Sequence, residues 1–154
     1  MLQAQEAYMQ AALKEAERAF ELDEVPVGAV VVYQGNIIAR AHNMREALRD
    51  PTAHAEMLAL RRAAEALGGW RLHGCSLYVT LEPCPMCAGG ILQARMDAVY
   101  FGVNDYKAGC CGTIYDIVQD KRFNHTTKVY GGILEQECYS ILRAYFNKKR
   151  CKNV

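Results

Sequence analysis

The sequence predicts an α/β fold in which helices cover both faces of a central mixed sheet of about five strands. Three observations predict it. Stretches with an apolar repeat of helical period alternate with short β-branched runs. The strand-like runs come first as a hairpin and then singly, separated by helices. The 154 residues carry no repeat, linker or low-complexity tract, so residues 1–154 are expected to form one domain with a substantial core.

Residues 3–21 place Ala4, Tyr8, Ala12, Ala16 and Phe20 on one side, with Met9 and Leu13 beside them, which is the spacing of an amphipathic helix. The β-rich runs "VGAVVVY" and "IIARA" flank Gln34-Gly35-Asn36, a hairpin signal weaker than Asn-Gly. The polar segment "HNMREALRDPT" ends in Asp50-Pro51, which predicts an N-cap and first-turn pair for a helix from about Ala53 to Leu67. Gly68-Gly69 stops that helix. "CSLYVTL" (75–81) is a compact strand, Pro83 to Ala94 a helix, and "DAVYFGV" (97–103) another strand. After the loop "NDYKAGCCG", the run "TIYDIVQD" is expected to form a short helix. "TTKVYGG" then forms a last strand, and a closing helix covers about 135–150.

Apolar residues make up 51% of the chain and charged ones 23%, a soluble globular composition. A net charge of +1 excludes a molecule-wide basic field, so any attraction to nucleic acid must be local. "MLQAQEAYMQ" is no secretory signal, and no apolar run approaches the ~18 residues of a membrane span. Seven cysteines without an export signal read as reduced thiols in a cytoplasmic protein, with no membrane partner.

Two short patterns carry chemistry. "DPTAHAEM" places His54 and Glu56 at a helix start, and "LEPCPMC" places Cys84 and Cys87 at the start of another. Cysteines at i and i+3 put both sulfurs on one side of a helix. The helix's positive end favours the thiolates that bind metal. A catalytic zinc takes three nitrogen or sulfur ligands and leaves one position open. His54, Cys84 and Cys87 supply that set, and no second C-x-x-C exists to close a four-cysteine structural site. Glu56, two residues from His54, points away from it on a regular helix and is expected not to be a ligand. In a loose first turn it is expected to act as proton shuttle, taking a proton from the activated water and passing it to a ring nitrogen and a leaving amine. Each pattern is weak alone; their coincidence carries the reading. His42, His73 and His125 lack such partners, and Glu82 reads as a loop or strand-end carboxylate.

The pair "HAE" and "PCPMC" resembles the signature of the zinc-dependent nucleobase deaminases, the cytidine and deoxycytidylate deaminase superfamily. "EVPVGAV", "DPTAHAEMLALR", "LYVTLEPCPMCAGGIL", "VYFGVNDYKAG" and "NHTTKVYGGILEQEC" are similar to the bacterial tRNA-specific adenosine deaminases, over residues from about 5 to 150. That resemblance implies a three-layer α/β/α sandwich, a homodimer, and one Zn²⁺ per subunit on His54, Cys84 and Cys87. It implies hydrolytic conversion of the wobble adenosine of an arginine tRNA anticodon stem-loop to inosine. It further implies that Glu56 shuttles the proton, that Asn43, Val27 and the Ala55 amide hold the purine, and that Asp105 contacts the ribose. Cys110-Cys111 stand where that family commonly has small residues after "KAG".

The closing helix combines Tyr145 and Phe146 with Lys148, Lys149, Arg150 and Lys152, the pairing of aromatics and cations that holds unpaired bases and phosphates. Tyr145, Phe146 and Arg150 are the expected RNA contacts. The same pattern also describes a helix with a buried aromatic side and a solvated basic end. Three rivals stay open at this point. A deaminase acting on guanine, cytosine or cytidine shares the reaction core. A non-catalytic zinc module would leave Glu56 without a role, and a redox C-x-x-C would leave both His54 and Glu56 unused.

Overall fold

The computed structural model describes residues 2–152; Met1, Asn153 and Val154, the ends of the expected 1–154 domain, lie outside the described residues. Helix α1 (Leu2–Glu21) leads into the hairpin β1 (Gly28–Tyr33) and β2 (Asn36–His42). Gln34 at φ 50° and Gly35 at φ 78° are both left-handed, which suits the twist of a two-residue hairpin loop. A short α2 (Arg45–Leu48) precedes α3 (Ala55–Leu67), which ends where Gly68, at φ 75°, donates its N–H to the carbonyl of Ala64. Then follow β3 (Cys75–Leu81), α4 (Pro85–Gln93), β4 (Ala98–Val103), β5 (Lys128–Tyr130) and α5 (Glu135–Lys152).

The strands form one sheet in the order β2-β1-β3-β4-β5. β1 is antiparallel to both neighbours, and β3, β4 and β5 run parallel, so the sheet is mixed as expected. Side chains alternate between its faces. Ala29 and Val31 face a core shared with Ala59 and Ala63 of α3 and Ile91 of α4, while Val30 and Val32 pack with Met9 and Ala12 of α1 and Cys138 of α5. Helices on the two faces make the three layers. Gly28 is required where α1 crosses β1, because a Cβ there would stand 2.0 Å from the carbonyl oxygen of Ala12. A row of tyrosines crosses the sheet: Tyr8 lies 5.1 Å from Tyr78, Tyr78 stacks on Tyr100 at 4.4 Å, and Tyr100 on Tyr130 at 4.8 Å.

Two expectations are corrected. Asp50 does not cap α3; its carboxylate accepts from the N–H and hydroxyl of Thr52, closing a turn of its own, and the N-cap is His54. "TIYDIVQD" is not helical. The N–H groups of Cys111 and Thr113 go to the distant Glu82 carboxylate, and Ile117 donates back to Cys110, so no i→i−4 ladder starts there.

His42 ends β2 with both ring nitrogens buried and without a hydrogen-bond partner among the described residues. Burial holds its pKa below the ordinary 6.5, aided by Arg62 on α3 and Arg18 on α1 and opposed by Glu15 on α1 and Glu24. The unfolded chain therefore binds the proton first. The stability contribution is complete above the unfolded pKa and is lost as pH falls toward the folded one. The thermal midpoint is expected to fall between about pH 7 and pH 5, and His42→Leu, which takes up no proton, should flatten that part of the profile. Parallel profiles for the two proteins would contradict this.

Candidate active site

The expected ligands meet at two helix starts. His54 is the N-cap of α3 and Cys84 the N-cap of α4, both with extended backbone and neither using its side chain as a cap. Pro85 starts α4, its missing N–H being one that no helical partner would have satisfied. One turn on, Cys87 is fully buried. His54 Nδ1 lies 3.6 Å from Cys84 Sγ and 3.6 Å from Cys87 Sγ. Zinc bonds of about 2.05 Å to nitrogen and 2.3 Å to sulfur, at the tetrahedral angle, put nitrogen and sulfur roughly 3.6 Å apart. Three donor atoms within 4.8 Å of one another, one nitrogen and two sulfurs, therefore fit zinc in both chemistry and spacing. The positive ends of α3 and α4 converge on the same point and favour negative sulfur there.

The thiols divide a proton unequally. The neighbouring Cys87 thiol, outweighing burial, holds Cys84 down to about 4. The same contact, followed by burial, pushes Cys87 up. The hydrogen bond to Cys84 raises the His54 pKa. Glu56, 4% exposed, is pushed up to about 7, chiefly by burial. Its carboxyl lies beside Cys87, outside the set of three converging donors.

A cavity of about 210 Å³ opens above these groups. Val27, Asn43, His54, Ala55, Glu56, Cys84 and Asp105 all line it, so the structure brings together every expected site residue except those of the closing helix, with Cys87 buried behind. Asn43 is anchored from both ends. Its Nδ2 donates to the Val25 carbonyl at 3.2 Å, and its Oδ1 accepts from the Arg45 N–H at 3.2 Å. One N–H and one lone pair remain for a ligand. Ala55 is the first residue of α3, where backbone N–H groups have no intrahelical acceptor. Asp105 Oδ1 accepts from the N–H groups of Lys107 and Ala108, which fixes its orientation at the rim.

Sequence reasoning missed several lining residues, namely Val25, Arg45, Leu81, Glu82 and Ala108. Glu82 is 2% exposed and collects donors from residues 104 to 113. No local spacing signals this, because its partners are distant in the chain. On the closing helix, Tyr145 is 7% exposed, packs edge-on against Phe20, and donates its hydroxyl to the Asp23 carbonyl. It docks α5 onto α1, the buried aromatic side that the same sequence pattern also describes. Lys149 is taken up by Asp23 at 2.7 Å, while Phe146 and Arg150 stay exposed. Cys110 and Cys111 are buried and burial pushes both thiols up, the environment of inert thiols.

Residues 2–103 match the family described as the cytidine and deoxycytidylate deaminase zinc-binding region. A tRNA-specific adenosine deaminase of Bacillus subtilis (strain 168) is 54% identical over 147 residues, covering 96% of this chain and 91% of that protein. A solved structure from work on A-to-I editing by tRNA:A34 deaminases at the wobble position superposes with a TM-score of 0.84 at 46% identity, covering 88% of this chain and 98% of that one. A guanine deaminase from Bacillus subtilis shares the fold with a TM-score of 0.63 at 34% identity, covering 92% and 93% of the two chains. The chain belongs to the zinc-binding cytidine and deoxycytidylate deaminase family and, within it, to the tRNA-specific adenosine deaminases.

Proposed function

We propose that the protein hydrolyses the wobble adenosine of a tRNA anticodon loop, in an arginine tRNA, to inosine and ammonia. The observation that carries this is the single cavity joining Asn43, Val27 and Ala55 to Glu56 and to the metal donors His54 and Cys84, with Cys87 behind them. Zinc held by His54, Cys84 and Cys87 would supply the Lewis acidity that makes water nucleophilic near neutral pH.

The chain's own groups do the rest. Val27 forms an apolar wall for a flat purine, and the free N–H and lone pair of Asn43 meet polar atoms on its edge. The Ala55 N–H is a further donor. An anticodon base can be splayed from its loop into such a cavity, whereas a duplex base cannot. Glu56 takes a proton from water as the oxygen adds to C6, and passes it to N1. It then takes the remaining proton from the C6 hydroxyl and delivers it to the exocyclic amine, so that the C6 carbonyl forms as the C6–N6 bond breaks. Adenosine and water give inosine and ammonia, with no redox change. Asp105 at the rim is suited to a ribose hydroxyl.

The residues outside the cavity extend the proposal. Phe146 and Arg150, in the helical segment about 135–150, contribute RNA contacts from the protein surface. A second copy of the chain covers an open apolar face between α3 and α4, lined by Met57, Leu60, Ala64, Trp70 and Leu72. All seven cysteines are free, which suits the cytoplasm. Among the described residues no helix is long and apolar enough to cross a membrane.

Incubation with an arginine-tRNA anticodon stem-loop, and separately with guanine, cytosine and cytidine, tests the assignment by nucleoside mass analysis. Inosine from the RNA alone is the expected result. Turnover of a free base without turnover of the RNA would replace this substrate with the guanine or cytosine class.

A further inference from the structure

The floor of the cavity and its walls have separate origins. The floor comes from the starts of α3 and α4. One wall comes from residues 104–113, which carry Asp105 and Ala108. The other comes from α2 and the preceding Asn43. Each wall ends on a buried carboxylate from elsewhere in the chain. Glu24, 1% exposed, accepts from the N–H groups of Glu46 and Ala47 at 2.9 and 2.8 Å and so holds the start of α2.

Glu82 does more. Its Oε1 accepts from the Asp105 N–H at 3.1 Å and from Asn104 Nδ2 at 3.4 Å. Its Oε2 accepts from the N–H groups of Cys111 at 3.0 Å and Thr113 at 3.1 Å. The Thr113 hydroxyl also donates to Oε1. These contacts gather both ends of a ten-residue segment (104–113) onto one side chain. The packing leaves no slack: a Cβ on Gly109 would stand 2.5 Å from the Glu82 carboxyl carbon. Every partner is a donor, the pattern an acceptor-only carboxylate satisfies and an amide would not.

We propose that Glu82 is a positioning residue for RNA capture, holding Asp105 and the 104–113 wall where they receive the nucleotide and its neighbours. The proposal rests on the RNA reading of the site above. Glu82 lines the cavity but stands outside the zinc donors, and its partners belong to the wall rather than the floor. Loosening the wall therefore weakens capture and leaves the chemical step, which depends on the floor.

The zinc-loaded Glu82→Gln protein tests this. The amide keeps the shape but offers an N–H₂ where acceptors are needed. With the anticodon stem-loop, KM is expected to rise about 10-fold or more while kcat stays within about 3-fold, the signature of lost binding shared by ground and transition states. Amide hydrogen exchange should quicken across 104–113 and not across α3 or α4. A fall in kcat with KM unchanged, loss of zinc, or unaltered exchange in the loop would each overturn the proposal. If Glu82→Gln fails to fold, Thr113→Val removes one donor without stranding the carboxylate, and an unchanged KM for that protein overturns it as well. Wild-type protein that makes no inosine from RNA marks failure of the substrate reading. Inosine from the wild type with an unchanged KM in the variant marks failure of the positioning role alone.

Discussion

Glu56→Ala protein is expected to bind zinc to the wild-type level and to form inosine about 10³-fold more slowly. Both halves follow from geometry. Three donor atoms already converge without Glu56, so its removal leaves the ligand set intact. Glu56 is 4% exposed, on the cavity floor, where burial leaves little access for another base to replace it. Two anionic sulfurs neutralise zinc formally, which raises the need for a separate group to accept the water's proton. Zinc content by atomic absorption and single-turnover inosine formation separate the alternatives. Loss of metal along with activity would make Glu56 a ligand, and retained turnover would remove it from the mechanism. Glu56→Gln keeps the volume but cannot take the proton, so it should behave as the alanine protein does.

Cys87→Ala is expected to lose zinc and turnover together. The sulfur is fully buried at the back of the site, 3.6 Å from His54 Nδ1, and among the described residues no cysteine besides Cys84 and Cys87 joins the converging set. Metal binding is also native-state stabilisation. With free zinc about 1,000-fold above its dissociation constant, the linkage contributes about 4 kcal/mol. The wild type should therefore melt at a higher temperature with zinc than after chelation. Cys87→Ala should melt near or below the chelated wild type and show no rise when zinc is restored. A zinc-dependent rise in that protein would exclude Cys87 as a ligand. Cys84→Ala should behave similarly, with less direct damage to packing because Cys84 is only partly buried.

The chain's local patterns made much of this legible. "CSLYVTL" became β3 at the same residues, because its alternating, β-branched run has one comfortable conformation on a sheet covered on both faces. The His54, Glu56, Cys84 and Cys87 constellation was readable because each pair opens a helix, and helix starts have fixed local geometry. Features set by long-range partners were not. "TIYDIVQD" has apolar positions enough for a helix, yet Ile117, whose N–H would make the first i→i−4 bond, donates to Cys110 instead, in a loop that Glu82 gathers from about thirty residues earlier in the chain. Glu24 and Glu82 look like ordinary surface carboxylates until the fold buries them. Tyr145 beside four cations left two readings open, an RNA contact or a buried aromatic side, and only the turn of α5 shows the ring directed inward onto Phe20. The base acted on is less legible still, since the zinc donors and Glu56 encode a reaction and the surrounding walls choose its substrate.

The tyrosine row has a practical consequence for following this protein in solution. The single tryptophan, Trp70, is 54% exposed in one chain and lies on the face proposed above to meet a second copy, so its emission reports that face rather than the state of the sheet. Tyr8, Tyr78, Tyr100 and Tyr130 come from α1, β3, β4 and β5, and their rings adjoin only when all four elements are assembled. The 58° between the rings of Tyr8 and Tyr78 skews their coupled transitions, so near-ultraviolet circular dichroism has a built-in probe of α1 seated on the sheet. An optical titration that watches only the indole would record the rim of the molecule while its centre went unobserved.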